Sequence, residues 1–143
     1  MARLLVIDDT DDIRLLLHAV LKRAGFEVTE AANGGEALEI LRRDTGFDAI
    51  VLDIQMPDMD GWEVLARIRA DSEVAHIPVV LCTVKSQIDD SRRGWELGAD
   101  GFLRKPFSIA DVPYEVQAVL GLSADERERR RKQAVAALAE GDR

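Results

Sequence analysis

Cysteine is almost missing from this chain. Cys82 is the single one, so no internal disulfide can form. It lies in the apolar run Val79-Val80-Leu81-Cys82, which suits a buried strand residue better than a reactive thiol. Histidine is nearly as scarce. His18 and His76 stand far apart, and neither has a Cys or His partner at metal-ligand spacing, which argues against a metal site built on imidazole. No apolar run approaches the roughly 18 residues needed to cross a bilayer. The stretch from Met1 to Ile7 is too short for a signal-peptide core and reads as a buried strand, so the cytoplasm is the expected location. Positive charge is also in short supply. There are 19 Lys and Arg against 27 Asp and Glu, a net charge of −8. Residues 1–121 hold 22 acidic and 13 basic side chains, and residues 122–143 hold 5 and 6. An acidic body excludes nonspecific nucleic-acid binding, which needs positive potential. Internal repeats and low-complexity linkers are absent too.

What is present is an ordinary globular composition. A length of 143 residues, 47% of them apolar, suffices for one domain with a real core. Short apolar runs alternate with amphipathic stretches. Leu4 to Ile7 is the first run. Residues 11–24 follow, with Ile13, Leu16, Leu17, Val20 and Leu21 at helical spacing and Gly25 as a stop. Phe26 to Ala31 reads as a strand and Asn33 to Arg43 as a helix. Ala49 to Leu52 is a continuous apolar strand that ends at Asp53. A turn at Pro57 to Asp60 leads into a helix from Gly61 to Ala70. Pro78 to Cys82 is the next strand, and Ser86 to Leu97 a helix stopped by Gly98. Gly101 to Arg104 is the last strand. Ser108 then opens a fifth helix, with Asp111 completing an S-x-x-D capping box. Fully apolar strands are covered on both faces, which means a parallel sheet with helices on either side. Crossover handedness restricts this to a doubly wound α/β fold.

Residues 122–143 differ. Ser123 and Glu126 form a capping box, and Asp125/Arg129, Glu126/Arg130 and Glu128/Lys132 are i, i+4 pairs. An extra C-terminal helix is expected. Its first ten residues are almost wholly polar and are expected to project into solvent, with Ala134, Val135 and Leu138 as a weak apolar face. Its uses would be a solvated extension or a contact with a partner or a second copy.

Ligands of doubly wound sheets bind beyond the carboxyl ends of the strands. Asp8 and Asp9, Asp53, Thr83 and Lys105 all fall there. Three carboxylates in one pocket repel by about 4 kcal/mol per pair at ~4 Å and an effective dielectric near 20. A divalent cation relieves that, and an oxygen-rich, partly hydrated site suits Mg²⁺. Lys105 can pair with Asp53 or with a phosphate oxygen, and Thr83 offers a hydroxyl donor. The set suits phosphoryl transfer, with Asp53 as carboxylate nucleophile.

These residues lie in recognisable motifs: Val6-Ile7-Asp8-Asp9, Leu52-Asp53 through Met56-Pro57 to Asp60-Gly61, Leu81-Cys82-Thr83, and Gly98-Ala99-Asp100 through Lys105-Pro106-Phe107. Together they resemble the response-regulator receiver domains of two-component signalling, over about residues 3–121. The resemblance implies a flavodoxin-like five-stranded sheet of order 2-1-3-4-5, with a receiver domain at 1–121 and a helical extension at 122–143. It implies that Asp53 accepts phosphate from a phosphohistidine on a histidine kinase or phosphotransfer protein. Asp8, Asp9, Asp53 and the Gln55 backbone carbonyl would hold Mg²⁺. Thr83 and Lys105 would bind phosphoryl oxygens, Phe102 would be the aromatic switch, and Lys105-Pro106 would be cis. Such a protein is a switch with self-phosphorylation and slow autodephosphorylation, not a turnover enzyme.

Some positions depart from the family pattern. Val84 stands where a small residue is usual and would narrow access to the phosphoryl group. Gln55 and Lys85 would flank the phosphate, and Phe102 lacks a tyrosine hydroxyl. Trp62 and Trp95 read as packing residues. With no effector domain expected after residue 121, output would run through protein contacts at the face of the fourth helix, fifth strand and fifth helix, near Arg92, Arg93 and Arg104. A receiver cut from a larger protein is the other reading of the chain's extent. Two other functions compete: a receiver-like scaffold that works without phosphorylation, and a Mg²⁺-dependent hydrolase with an aspartate nucleophile. Gln55 counts against the hydrolase, because it stands where a second carboxylate would act as acid and base.

Overall fold

The computed structural model describes residues 1–84 and 88–141. Its elements in chain order are β1 (Arg3–Ile7), α1 (Asp11–Arg23), β2 (Glu27–Ala31), α2 (Gly34–Arg43), β3 (Ala49–Asp53), α3 (Gly61–Ala70), β4 (Val79–Val84), α4 (Ile88–Leu97), β5 (Gly101–Lys105), α5 (Asp111–Leu120) and α6 (Ala124–Gly141). The five strands form one parallel sheet of order β2-β1-β3-β4-β5. This is the doubly wound, flavodoxin-like arrangement, with one additional helix at the C-terminal end.

Strand periodicity divides the core. Leu5, Ile7, Ile50, Leu52, Val79 and Leu81 face one side, against Ala37 and Leu41 of α2 and Trp62, Leu65 and Ile68 of α3. Leu4, Val6, Ala49, Val51, Val80 and Cys82 face the other, against Leu17 and Leu21 of α1 and Val112, Val116 and Val119 of α5. Because successive strand residues point to opposite faces, an unbroken apolar strand feeds both layers. Each fully buried Leu or Ile contributes about 1.5–3 kcal/mol of burial.

Several helix ends follow from single residues. Asn33 caps α2 by accepting from the Glu36 amide at 2.8 Å, and Asp60 caps α3 from the Glu63 amide at 3.0 Å. Gly98 ends α4 at φ +100°, a left-handed conformation in which a side chain is strained. The helix after β5 starts at Asp111, not at Ser108, and Ser108 makes no side-chain cap. Pro113 explains the shift. It lacks an N–H and fits only the first turn of a helix, so a start at Ser108 would place it too deep. On α1, Leu16 is exposed alongside Leu15, and only Leu17 and Leu21 are fully buried. The strand β4 runs two residues beyond the apolar pattern, to Val84, and β5 runs one beyond it, to Lys105.

The largest correction concerns α6. Its polar first turns do not project into solvent; they fold back on the body. The side chain of Arg127 is 11% exposed, and the guanidinium groups of Arg127 and Arg131 reach the fully buried Asp100. Charge on a helix face reads as solvated only when no buried counter-ion meets it, and Asp100 lies 27 positions before Arg127 in the chain. The Ser123–Glu126 box is formed in both directions, at 2.9 and 3.1 Å.

Candidate functional site

Asp8 follows directly on β1, Asp53 is the last residue of β3, Thr83 is next to last in β4, and Lys105 closes β5. All four therefore sit at the carboxyl edge of adjacent strands. One carboxylate oxygen each of Asp8, Asp9 and Asp53 lies within 4.8 Å of the others. Lys105 Nζ is 3.0 Å from Asp53 Oδ1 and 3.6 Å from Asp8 Oδ2. Asp8 is fully buried, and the side chain of Asp53 is 4% exposed. Asp9 is the more open member of the trio. Thr83 is 3% exposed. Val84, beside it, is 38% exposed.

Local backbone fixes the acids. The Thr10 amide donates to Asp8 Oδ1 at 2.9 Å. The Gln55 amide donates to Asp53 Oδ1 at 3.4 Å. Behind Asp53, the start of α3 comes extremely close: the Gly61 amide donates to the Ile54 carbonyl at 2.8 Å. A Cβ at Gly61 would lie 2.4 Å from the Asp53 carbonyl oxygen, so only glycine allows this approach. Asp58, in the connecting loop, has φ +66°, a region that Asp tolerates better than most residues. The Lys105-Pro106 bond is cis.

Burial pushes the Asp8 carboxyl above its usual range, aided by the charge of Asp9; the Thr10 amide and Lys105 oppose the rise. Burial likewise raises Asp53, helped by Asp8 and opposed by Lys105. Burial acts to lower Lys105, but the carboxylates of Asp53 and Asp8 outweigh it and its ammonium is held above the usual range. Cys82, directly beside Asp53 in the β3–β4 register, is pushed up to about 12 by burial and is no nucleophile at neutral pH.

Within this site, Asp8 Oδ2 is buried without a hydrogen bond from any described residue. A fully buried carboxylate oxygen left unsatisfied is costly. Three acids facing one amine leave the site net negative, and the donor set is all oxygen. These features fit a hard divalent cation of the Mg²⁺ kind.

Phe102 is partly buried on β5. Its ring meets Trp95 edge-on, 5.2 Å between centroids at 64°. Trp62 is buried in the core, with the Arg93 guanidinium 4.6 Å over its ring. Arg104 donates to the Ser91 hydroxyl at 3.3 Å, and Arg92 pairs with Glu96 at 3.2 Å. Lys85, expected to flank the site, lies outside the described residues.

Sequence reasoning missed Arg14. Its guanidinium donates to the Asp8 carbonyl at 2.7 Å, to Asp11 at 2.7 Å and to Glu30 at 3.1 Å. Glu30 in turn holds His18 Nδ1 at 2.6 Å. The Asp11/Arg14 spacing was a visible signal, but Glu30 enters only through the β1–β2 register that sets it beside Val6.

Comparison with known proteins agrees with this geometry. The family model for the response regulator receiver domain matches residues 4–117. Transcriptional regulatory protein SrrA of Staphylococcus aureus is 38% identical over 117 residues, which is 82% of this chain and 47% of that protein. The chain thus spans about half the length of the curated relatives it matches. Among solved structures, the chemotaxis response regulator CheY4 of Vibrio cholerae aligns with a TM-score of 0.78 at 34% identity, covering 83% of this chain and 98% of that one. The signal receiver domain of a signal transduction histidine kinase from Syntrophus aciditrophicus aligns with a TM-score of 0.76 at 29% identity, covering 84% and 90%.

Proposed function

This chain belongs to the response regulator receiver domain family, and from that membership we propose that it is a phosphorelay switch in which Asp53 is the phosphoacceptor. Receivers of this family signal without turning over a substrate. The observation that carries the specific reading is the grouping of three carboxylate oxygens within 4.8 Å, with Lys105 3.0 Å from Asp53 and buried Asp8 Oδ2 left without a hydrogen bond. Residues 1–121 form the receiver unit, and residues 122–143 its helical extension.

Lys105 and the Gln55 amide hold Asp53 Oδ1, while Oδ2 accepts no hydrogen bond from a described residue. Oδ2 is therefore the attacking oxygen. It forms a bond to phosphorus as the P–N bond of a partner's phosphohistidine breaks and the imidazole leaves. Lys105 stabilises negative charge on a transferring phosphoryl oxygen, and the Thr83 hydroxyl donates to another. Asp8, Asp9, Asp53 and the Gln55 carbonyl would hold Mg²⁺, which supplies charge neutralisation when bound. Phe102 is the residue through which the altered strand end reaches the α4–β5–α5 face, where a protein partner would dock. The donor is a histidine kinase or phosphotransfer protein. No helix among the described residues is long and apolar enough to cross a membrane.

Intact-mass spectrometry after incubation with acetyl phosphate tests this. The expected result is a gain of one phosphoryl group that needs Mg²⁺ and disappears in Asp53→Ala. No gain with any small phosphodonor or phosphohistidine protein would overturn the phosphoacceptor role and leave a scaffold. Sustained release of phosphate from esters would instead indicate a hydrolase, a reading Gln55 already disfavours.

A further inference from the structure

The helix α6 lies on the α4–β5–α5 face. Arg130 touches α4, α5 and the residue that leads into β5. Its guanidinium sits 5.6 Å over the Trp95 ring of α4, donates to the Asp100 carbonyl ahead of β5 at 3.1 Å, and pairs with Glu115 of α5 at 3.4 Å. A groove of about 470 Å³ runs between α4 and α6, walled by Trp95, Glu96, Arg131, Val135 and Ala136.

The anchor is Asp100, whose two carboxylate oxygens serve different masters. Oδ2 is held by the body: the Val79 amide at 2.9 Å and Arg69 at 2.8 Å. Among the described residues, Oδ1 is held only by α6, through Arg131 at 2.6 Å and Arg127 at 3.3 Å. Arg127 also donates to the His76 carbonyl at 2.9 Å. The body can therefore stay folded around Oδ2 while α6 lets go of Oδ1. Two features weaken the grip. Arg127 Nε is buried without a hydrogen-bond partner, an uncompensated cost of docking. The apolar part of the contact relies on small residues such as Val135, Ala136 and Ala139 beside Trp95.

The same tryptophan meets the strand that carries Lys105. Its ring is flanked by Arg130 of α6 and by Phe102 of β5. Phe102 is packed tightly: a Cβ on Gly94 would lie 2.6 Å from its ring. Any shift of Phe102 must therefore be taken up by Trp95 or by α4, since close-packed side chains do not deform continuously.

We infer that α6 is a reversible intramolecular clamp that occupies the partner-docking face in the resting chain, and that phosphorylation of Asp53 releases it through Phe102 and Trp95. The coupling half rests on the phosphoacceptor reading given above. The occupant of the face is this chain's own helix, bound through Arg127, Arg130 and Arg131, and a partner would take the face that it vacates.

Hydrogen exchange of the full chain, resolved by peptide mass, tests the clamp. In the unphosphorylated chain the backbone amides of residues 127–139 should be protected. Arg131→Gln should speed their exchange by about tenfold while β3 amides stay unchanged, because only a local opening becomes easier. Phosphorylation, with occupancy read from intact mass in the same sample, should speed α6 exchange in the parent chain. It should have little further effect in Trp95→Leu, which lacks the connecting ring. Unchanged α6 exchange in Arg131→Gln would overturn the clamp. Unchanged α6 exchange in a chain whose mass shows the phosphoryl group would overturn the coupling. If the mass shows no phosphoryl group at all, the phosphoacceptor reading fails and takes the coupling with it, while the Arg131→Gln comparison still decides the clamp.

Discussion

Replacing Lys105 by Met separates charge from packing at the site. Met keeps an unbranched stem of similar reach but removes the ammonium. In the parent chain that ammonium is 3.0 Å from Asp53 Oδ1 and 3.6 Å from Asp8 Oδ2. At an effective dielectric near 20, each contact is worth about 5 kcal/mol in Coulomb terms. The net loss is far smaller, because the Lys105 side chain is 25% exposed and water screens it. Leaving buried carboxylates unpaired costs roughly 1–3 kcal/mol, so the metal-free variant should still fold but unfold at lower urea. The sign reverses for a cation. Removing one positive charge makes the acid cluster more negative, so Mg²⁺ should bind about tenfold more tightly, a gain of ~1.4 kcal/mol. Urea unfolding followed by circular dichroism, with EDTA and then with saturating Mg²⁺, measures both. The destabilisation should be clearly smaller with Mg²⁺. An equal loss under both conditions, or weaker Mg²⁺ binding by the variant, would refute the claim that Lys105 and the cation answer the same carboxylates.

Two further outcomes follow from the geometry. The Arg3 guanidinium hydrogen-bonds Asp44 and holds its carboxyl at about 2, below the usual 3.8. The unfolded state then binds more protons in that window, so this pair's contribution is present above 3.8 and is lost as the pH falls toward about 2. Arg3→Met should flatten the acid limb of a melting-temperature profile there, and an unaltered limb would contradict the assignment. Gly61→Ala places a Cβ against main-chain atoms of Asp53 and Ile54. It should cost about 1–3 kcal/mol and also weaken Mg²⁺ binding, since Asp53 must shift. A stability loss with unchanged Mg²⁺ affinity would mean that the backbone yields elsewhere.

Much of this protein was legible in the residues. The limits of α3 at Gly61 and Ala70 were read after the turn at Pro57 to Asp60, and the structure has the same limits, with Asp60 as the cap. Strands β1, β3 and β4 were legible because parallel strands covered on both faces need unbroken apolar runs, a pattern carried by neighbours in the chain; β2, with Glu27, Thr29 and Glu30, carries no such run. The placement of Asp8, Asp53 and Lys105 at strand ends needed only that pattern and the known site of ligands in such sheets.

What the sequence determined by itself, then, was local and periodic: which segments become helix or strand, which residues end them, and which acids stand at the strand ends. Tertiary structure alone decided the pairings between charges far apart in the chain. Arg14 meets Glu30 because β2 lies beside β1 in register. Arg127 and Arg131 leave solvent because a buried carboxylate at Asp100 turns one oxygen toward them. Helical periodicity records which residues share a face, but a charge finds its counter-ion through space, and no spacing along the chain encodes that distance.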